Sequence, residues 1–212
     1  MAYDFEEQEQ IENLKAWWNR YGGFILTVMV IVSVSVAAWR VWGWYQAREA
    51  GRAAVALSVL REAVRANDMP KVRAASKTLE EGHGGSIYAA MGALLAAKAH
   101  FDAGDLEQAR QSLRWVLDNA PNSEFAPIAR LRLAGVLLQD GEAEQALGVL
   151  GEVPVPQPYR GAFADRRGDI LVELSRPDDA RQAYREALDA MGQRVGLSSS
   201  VQAKLESLGS GS

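Results

Sequence analysis

Any chemistry in this chain would have to come from very few residues. There are two histidines and no cysteine among 212 residues. His83 lies in "EGHGGS" (81–86), and His100 lies inside an alanine- and leucine-rich stretch. A catalytic base must stand within hydrogen-bond reach of a nucleophile or a substrate proton, yet a predicted helix separates the two histidines. The glycine-rich stretch lacks the lysine and serine of a phosphate-binding loop, so it reads as a flexible connection. His100 reads as a packed or surface residue of a repeat helix. No H-E-x-x-H, no G-x-S-x-G and no clustered metal ligands occur. The acid pairs Glu80-Glu81 and Asp178-Asp179 fall at predicted helix ends, in solvated or capping roles. The expectation is a protein that is not an enzyme, with no cofactor, no metal and no small-molecule substrate. The lack of cysteine excludes disulfide and thiolate chemistry and leaves the compartment open.

Charge narrows the partners further. The net charge is −4, and the first residues are acidic: Asp4, Glu6, Glu7, Glu9 and Glu12 against Lys15 and Arg20. No basic stripe of the kind that phosphate backbones require is present, so nucleic acid is excluded as a partner. Hydrophobic residues make up 48%, but the mean hydropathy is only −0.15. One apolar segment in an otherwise soluble-type sequence excludes a polytopic transporter. The length suits one ordinary domain with appendages.

The apolar segment is residues 21–39, without a charge between Arg20 and Arg40. At about 1.5 Å per residue it spans about 28 Å, close to the roughly 30 Å hydrocarbon core of a bilayer. Trp17, Trp18 and Tyr21 flank one end, and Trp39, Trp42, Trp44 and Tyr45 the other. Such rings settle at headgroup depth. A soluble core helix is rarely apolar all round for five turns. A cleavable signal could use Ser35-Val36-Ala37, but the preceding segment is acidic and the apolar run is too long. The segment is therefore expected to be a retained single membrane helix in contact with the lipid bilayer. Its direction stays open: Lys15 and Arg20 precede it, and Arg40, Arg48 and Arg52 follow. Ser33 and Ala37 lie one turn apart and could form a face on which another helix packs closely, or be ordinary filler.

Beyond residue 46 the apolar spacing is helical and good helix formers dominate. "LLAAKAHFDAGDLEQARQSLRWVLDNAP" (94–121) aligns with "LRLAGVLLQDGEAEQALGVLGEVP" (131–154) and with "RRGDILVELSRPDDARQAYREAL" (166–188). Ala146 follows Ala109 by 37 residues, and Ala180 follows Ala146 by 34. A weaker copy, 57–79, places Val72 at the same point. Each unit is a helix, a tight turn and a second helix. Asp105, Glu107, Glu142 and Asp178 mark where second helices begin. Gly104 and Gly141 punctuate the turns, and Pro121 and Pro154 stop second helices. "VPVPQPY" (153–159) reads as a stiff connection, and 198–208 as a capping helix over the last repeat.

A helix-turn-helix period of this length resembles the tetratricopeptide repeat. Ala134 and Gly168 take its small close-packing position, and Tyr184, Ala187 and Leu188 fit its second helix. The aromatic usual early in the unit is missing. The expected fold is all-α: an N-terminal transmembrane helix followed by a short tetratricopeptide-like helical solenoid with a C-terminal capping helix. Its parts are an acidic tail (1–20), the transmembrane helix (21–45), the repeats (46–208) and a linker-like Gly-Ser-Gly-Ser (209–212).

Repeat solenoids bind partners along the concave face lined by first helices. Met91, Leu94, Lys98 and Phe101, followed by Ile128, Leu131 and Leu138, recur on one side of those helices. They are candidates for a protein-binding groove, or they fill the core between layers.

Taken together, "EQIENLKAWWNRYG" (9–22), "WRVWGWYQ" (39–46), "SIYAAMGALLAAKAHFDAGDLEQA" (86–109), "ADRRGD" (164–169) and "SVQAKLESL" (200–208) resemble the YfgM-type ancillary subunit of the bacterial Sec translocon. That resemblance implies a bacterial inner-membrane protein with a cytoplasmic N-terminus and a periplasmic repeat domain. Its partners would be the SecYEG translocon, the PpiD-type membrane-anchored chaperone and translocating polypeptides. Two other readings fit the architecture. One is a tetratricopeptide adaptor for other envelope machinery. The other is an envelope stress regulator acting through the acidic tail.

Overall fold

In a computed structural model of the chain, residues 3–120, 122–151, 154–192 and 195–209 are described, all but 3–13 and 195–197 with their side chains. Pro121, the acidic side chains of residues 4–12 and positions 210–212 of the linker-like end therefore lie outside the described residues. Among these residues every regular element is helical. The chain divides into two compact units, Met1–Gly51 and Arg52–Ser212.

In the first unit, helix α1 (Tyr3–Arg65) carries the apolar segment. Its most apolar window has a mean hydropathy of 2.1 and none of it is buried by protein. It is long and apolar enough to cross a membrane. Phe24, Met29, Ile31 and Val34 are all exposed. The hydroxyls of Thr27 and Ser35 donate to the helix's own carbonyls, Gly23 O and Ile31 O, each at 2.8 Å. This leaves those donors satisfied without water, as a hydrocarbon environment demands. Trp17 and Tyr21 lie with ring centroids 5.8 Å apart. At the other end the Arg48 guanidinium stands 5.2 Å over the Trp44 ring, an aromatic–cation pairing suited to an interface. Ser33 and Ala37 are exposed along the same stretch.

The second unit is built from helix pairs. Residues 52–65 of α1 pair with α2 (Met69–His83), α3 (Ile87–Asp102) with α4 (Leu106–Asn119), α5 (Ala126–Gln139) with α6 (Ala143–Gly151), and α7 (Arg160–Glu173) with α8 (Pro177–Met191). Helix α9 (Val195–Gly209) packs on α8. The connection before α7 is extended at Pro154–Pro156 and closes in a 3-10 turn at Gln157–Tyr159.

One backbone device repeats in every pair. The residues after the first helices, Asn67, Gly104, Gly141 and Ser175, all have left-handed φ, between 53° and 79°. The next amide reaches back to a carbonyl five residues earlier: Asp68 to Ala63, Asp105 to His100, Glu142 to Leu137 and Arg176 to Leu171, at 2.8–3.0 Å. This is the bond that satisfies orphan carbonyls at a helix end. Glycine takes left-handed φ without a steric penalty, and Asn tolerates it; Ser175 is the strained member. The second helix is then capped. Asp68 accepts from the Lys71 amide and Asp105 from the Gln108 amide, both at 3.2 Å.

Adjacent pairs are tied by ion pairs at the same point of the repeat. Arg73 of α2 meets Asp105 at 3.3 Å. Arg110 of α4 meets Asp140 at 2.8 Å and Glu142 at 2.7 Å. The equivalent position in α6 is Leu147, which packs on both neighbouring cores. The C-terminal pair is closed by α9, where Val201 is buried. There the Lys204 ammonium lies 2.7 Å from both Asp165 and Asp169 of α7, and the Tyr184 hydroxyl donates to Asp169 at 3.0 Å. Burial, then the neighbouring Asp169, pushes the Tyr184 phenol well above its usual range. For Lys204 burial works against the charge, but bonds to Asp165 and Asp169 outweigh it and raise its pKa.

Alanine fills much of the seams: Ala93, Ala97, Ala109, Ala134 and Ala146 are all buried in one core cluster. Small residues let helices approach closely, so many short contacts replace a few large ones. One sequence expectation is corrected. Glu81, Gly82 and His83 belong to α2, so the connection is confined to Gly84–Ser86. Packing of α2 against α3, with Val72 and Leu79 buried, outweighs the ~1 kcal/mol that a helical glycine costs.

Candidate protein-binding groove

The first helices α3, α5 and α7 share one side of the second unit, and a cavity of about 300 Å³ opens among them. Lys98 and Phe101 come from α3, and Arg132, Gly135, Val136 and Gln139 from α5. Arg166 comes from α7, and Ala97 and Leu113 complete the lining. The wall is largely apolar, with cations at its rim.

Those cations are differently engaged. Lys98 is paired with Asp102 one turn along its own helix. Arg166 lies 3.6 Å from Asp169, a carboxylate it shares with Lys204 and Tyr184. The Arg132 guanidinium donates to the Leu94 carbonyl at 3.1 Å. No carboxylate partner for it is found among the described residues.

The seven residues singled out on apolar spacing divide in the structure. Leu94 is 7% exposed and belongs to the core. Ile128, Leu131 and Leu138 are half-buried against that same core. Met91 is half-buried against the cluster around Leu57, Leu60 and Leu79. Lys98 and Phe101 face the cavity. Apolar spacing did not point to Arg132, Gly135, Gln139 or Arg166. Their signal was the polar interruption of an apolar helix: Arg132, Gly135 and Gln139 fall at intervals of one turn in "APIARLRLAGVLLQ", the sequence of α5. In a layered helical fold the apolar side of a first helix turns to the core, so the groove is read from the other side.

A second cleft, between α2 and α4, is lined by Arg73, Ser76, Glu80, His100, Gln108 and Trp115 among others. His100 is 2% exposed, at the point of the repeat where Ala63, Leu137 and Leu171 stand. Burial lowers its pKa, opposed by Asp105 at 3.7 Å and assisted by Arg73. Burial raises the Glu80 carboxyl, against a 2.8 Å hydrogen bond from Ser76. Ser76 with Glu80 and Arg73 with Asp105 are thus matched within the chain, and no group of metal ligands occurs among the described residues.

A family profile for a tetratricopeptide repeat-like domain matches residues 15–210. The chain belongs to the tetratricopeptide repeat-like domain family. Among its relatives is the ancillary SecYEG translocon subunit of Neisseria gonorrhoeae, 29% identical over 212 residues, covering 98% of this chain and 100% of that one. The protein of the same name from Escherichia coli K12 is 29% identical over 203 residues, covering 95% and 96%. The similarity to a YfgM-type ancillary subunit that the sequence motifs carry is thus matched along nearly the full length. Solved structures of MamA share the tetratricopeptide repeat-like fold. One has a TM-score of 0.55 at 15% identity, over 74% of this chain and 86% of that one. The MamA fragment of Desulfovibrio magneticus RS-1 has a TM-score of 0.53 at 18% identity, covering 74% and 89%.

Proposed function

We propose that this tetratricopeptide repeat-like protein is a single-span anchor and protein-binding scaffold of the bacterial inner membrane, working beside the SecYEG translocon. The observation that carries the reading is the extent of the similarity to ancillary translocon subunits. It runs through the apolar helix and the repeats alike. In this reading the N-terminus is cytoplasmic and the repeats are periplasmic. The span holds the solenoid near the channel, which raises the local concentration of its groove for emerging chains. A membrane-anchored periplasmic chaperone of the PpiD type is the second partner, and the work is handling translocated proteins rather than catalysis. The exposed Trp17, Trp18 and Tyr21 at one end of the span and Trp39, Trp42, Trp44 and Tyr45 at the other support the anchoring role, and Ser33 with Ala37 offers a close-packing face to a channel helix.

The test is co-purification. Full-length chain should carry SecYEG with it from detergent-solubilised membranes, and a chain lacking residues 1–46 should carry far less. Equal recovery from both would contradict the proposal. Protease treatment of spheroplasts should degrade the repeats and leave the tail protected.

A further inference from the structure

One buried cation in the repeats is unmatched. Arg130 of α5 is only 8% exposed. Its Nε is buried without a hydrogen-bond partner, and no carboxylate meets it among the described residues. Other deeply placed cations are matched: Arg110 by Asp140 and Glu142, and Lys204 by Asp165 and Asp169. The repeat itself does not call for a cation at this point. Counted back from Ala63, His100 and Leu171, as Arg130 is from Leu137, the other pairs carry Ala56, Ala93 and Ala164. Ala93 and Ala164 are buried in their seams. Burying a guanidinium costs far more than burying a methyl group, and arginine keeps its charge wherever a protein places it.

Arg130 lines a cavity of about 400 Å³ that shares no residue with the groove. Asn122 and Ser123 give it polar atoms, and Pro127, Val155 and Phe163 give it an apolar wall. Ala126 and Pro127, also in the lining, begin α5. That helix start has no side-chain cap, whereas Ser86 caps α3 by accepting from the Ala89 amide at 3.3 Å. An uncapped helix start and a buried guanidinium both favour an anion. We infer that this cavity binds a small apolar carboxylic acid as its anion, with the carboxylate on Arg130 and the apolar body against Val155 and Phe163. The volume suits a small molecule. One unmatched guanidinium balances one negative charge, and the apolar wall disfavours a strongly hydrated phosphate dianion. The walls come from the connections entering and leaving the α5–α6 pair, so a bound acid braces that pair from one end. The site is independent of the translocon reading.

The experiment uses the full chain in nanodiscs, with benzoate and 4-phenylbutyrate as probes and benzamide and 4-phenylbutanol as uncharged controls. At about ten times its dissociation constant, a bound acid should raise the thermal midpoint of the repeats by about 3–5 °C. The uncharged controls should bind at least about tenfold more weakly, as the loss of a charge-assisted pair implies. Arg130→Met removes the charge and keeps much of the volume. It should fold without ligand, as the alanines of the other pairs imply, and abolish the shift. Val155→Phe, which fills the cavity and keeps Arg130, should abolish it too. No shift with both acids, equal binding of acid and amide, or an undiminished shift in Val155→Phe overturns the inference. Tighter binding of inorganic phosphate, or of a peptide ending in phenylalanine, also overturns it, because the site would then serve phosphate or a chain end. So does strong coupling between Arg130→Met and Glu152→Gln in a double-mutant stability cycle, because the chain would then supply its own carboxylate.

Discussion

Gly168 and Gly135 both sit inside first helices, and their surroundings are opposite. At Gly168 the absence of a side chain is filled by Tyr184, which packs against the helix and donates to Asp169. At Gly135 it leaves an open floor, with Arg166 as its nearest side-chain neighbour. The first glycine belongs to a seam whose groups satisfy one another. The second borders a cavity whose wall is largely apolar and open.

Substitutions sharpen that contrast. Leu133 is 2% exposed in the largest core cluster, and Leu133→Ala should cost about 3 kcal/mol, read from denaturant unfolding of the repeats. Gly168→Ala should cost about 2 kcal/mol, because the ring of Tyr184 must be displaced. Gly135→Ala should have the opposite sign, stabilising by roughly 0.5–1 kcal/mol, because its β-carbon meets only the Arg166 guanidinium at ordinary contact distance. If the two glycine variants shift thermal midpoints in the same direction, the distinction between seam and groove fails. Ser175→Gly, at a strained turn that two other repeats fill with glycine, should also gain roughly 0.5–1 kcal/mol. Smallest of all, Arg132→Gln should change stability by less than about 0.5 kcal/mol, read from the same unfolding curves.

The seams also predict a pH dependence. The folded pKa of His100 is depressed by burial, so neutral imidazole is the form that folding favours. Its contribution is present above the unfolded value of roughly 6.5 and is lost as pH falls through the lower folded value. His100→Leu, which restores the apolar residue type that Leu137 and Leu171 supply in later repeats, should flatten the stability profile below that pH.

Period, helix pairing and turns could be read from the chain because they rest on local residues. Gly104 and Gly141 stop first helices by their backbone freedom, and Asp105 caps the next. The end of α2 could not, because Gly82 and His83 look like a connection locally, and the helix runs on through them from the buried Leu79. The groove was only partly legible for a related reason. Leu94, Ile128, Leu131 and Leu138 share the periodicity of a binding face and of a core face, and only packing separates the two. Lys98 and Phe101 reach the cavity, but Arg132 and Gln139 carry no meaning until α3 and α7 stand beside them. The ion pairs joining Arg110 to Asp140 and Glu142 link residues about thirty positions apart and follow from the stacking alone.

The central claim is that the groove, rather than the outer face, meets translocating chains. A photo-crosslinking residue placed at Gln139, on the groove, and another at Gln111, on the α2–α4 side, would test it in full-length chain in membranes during export. The account predicts adducts with translocating polypeptides from position 139 and few from 111. Equal adduct yields from both positions, or more from 111 than from 139, would contradict it.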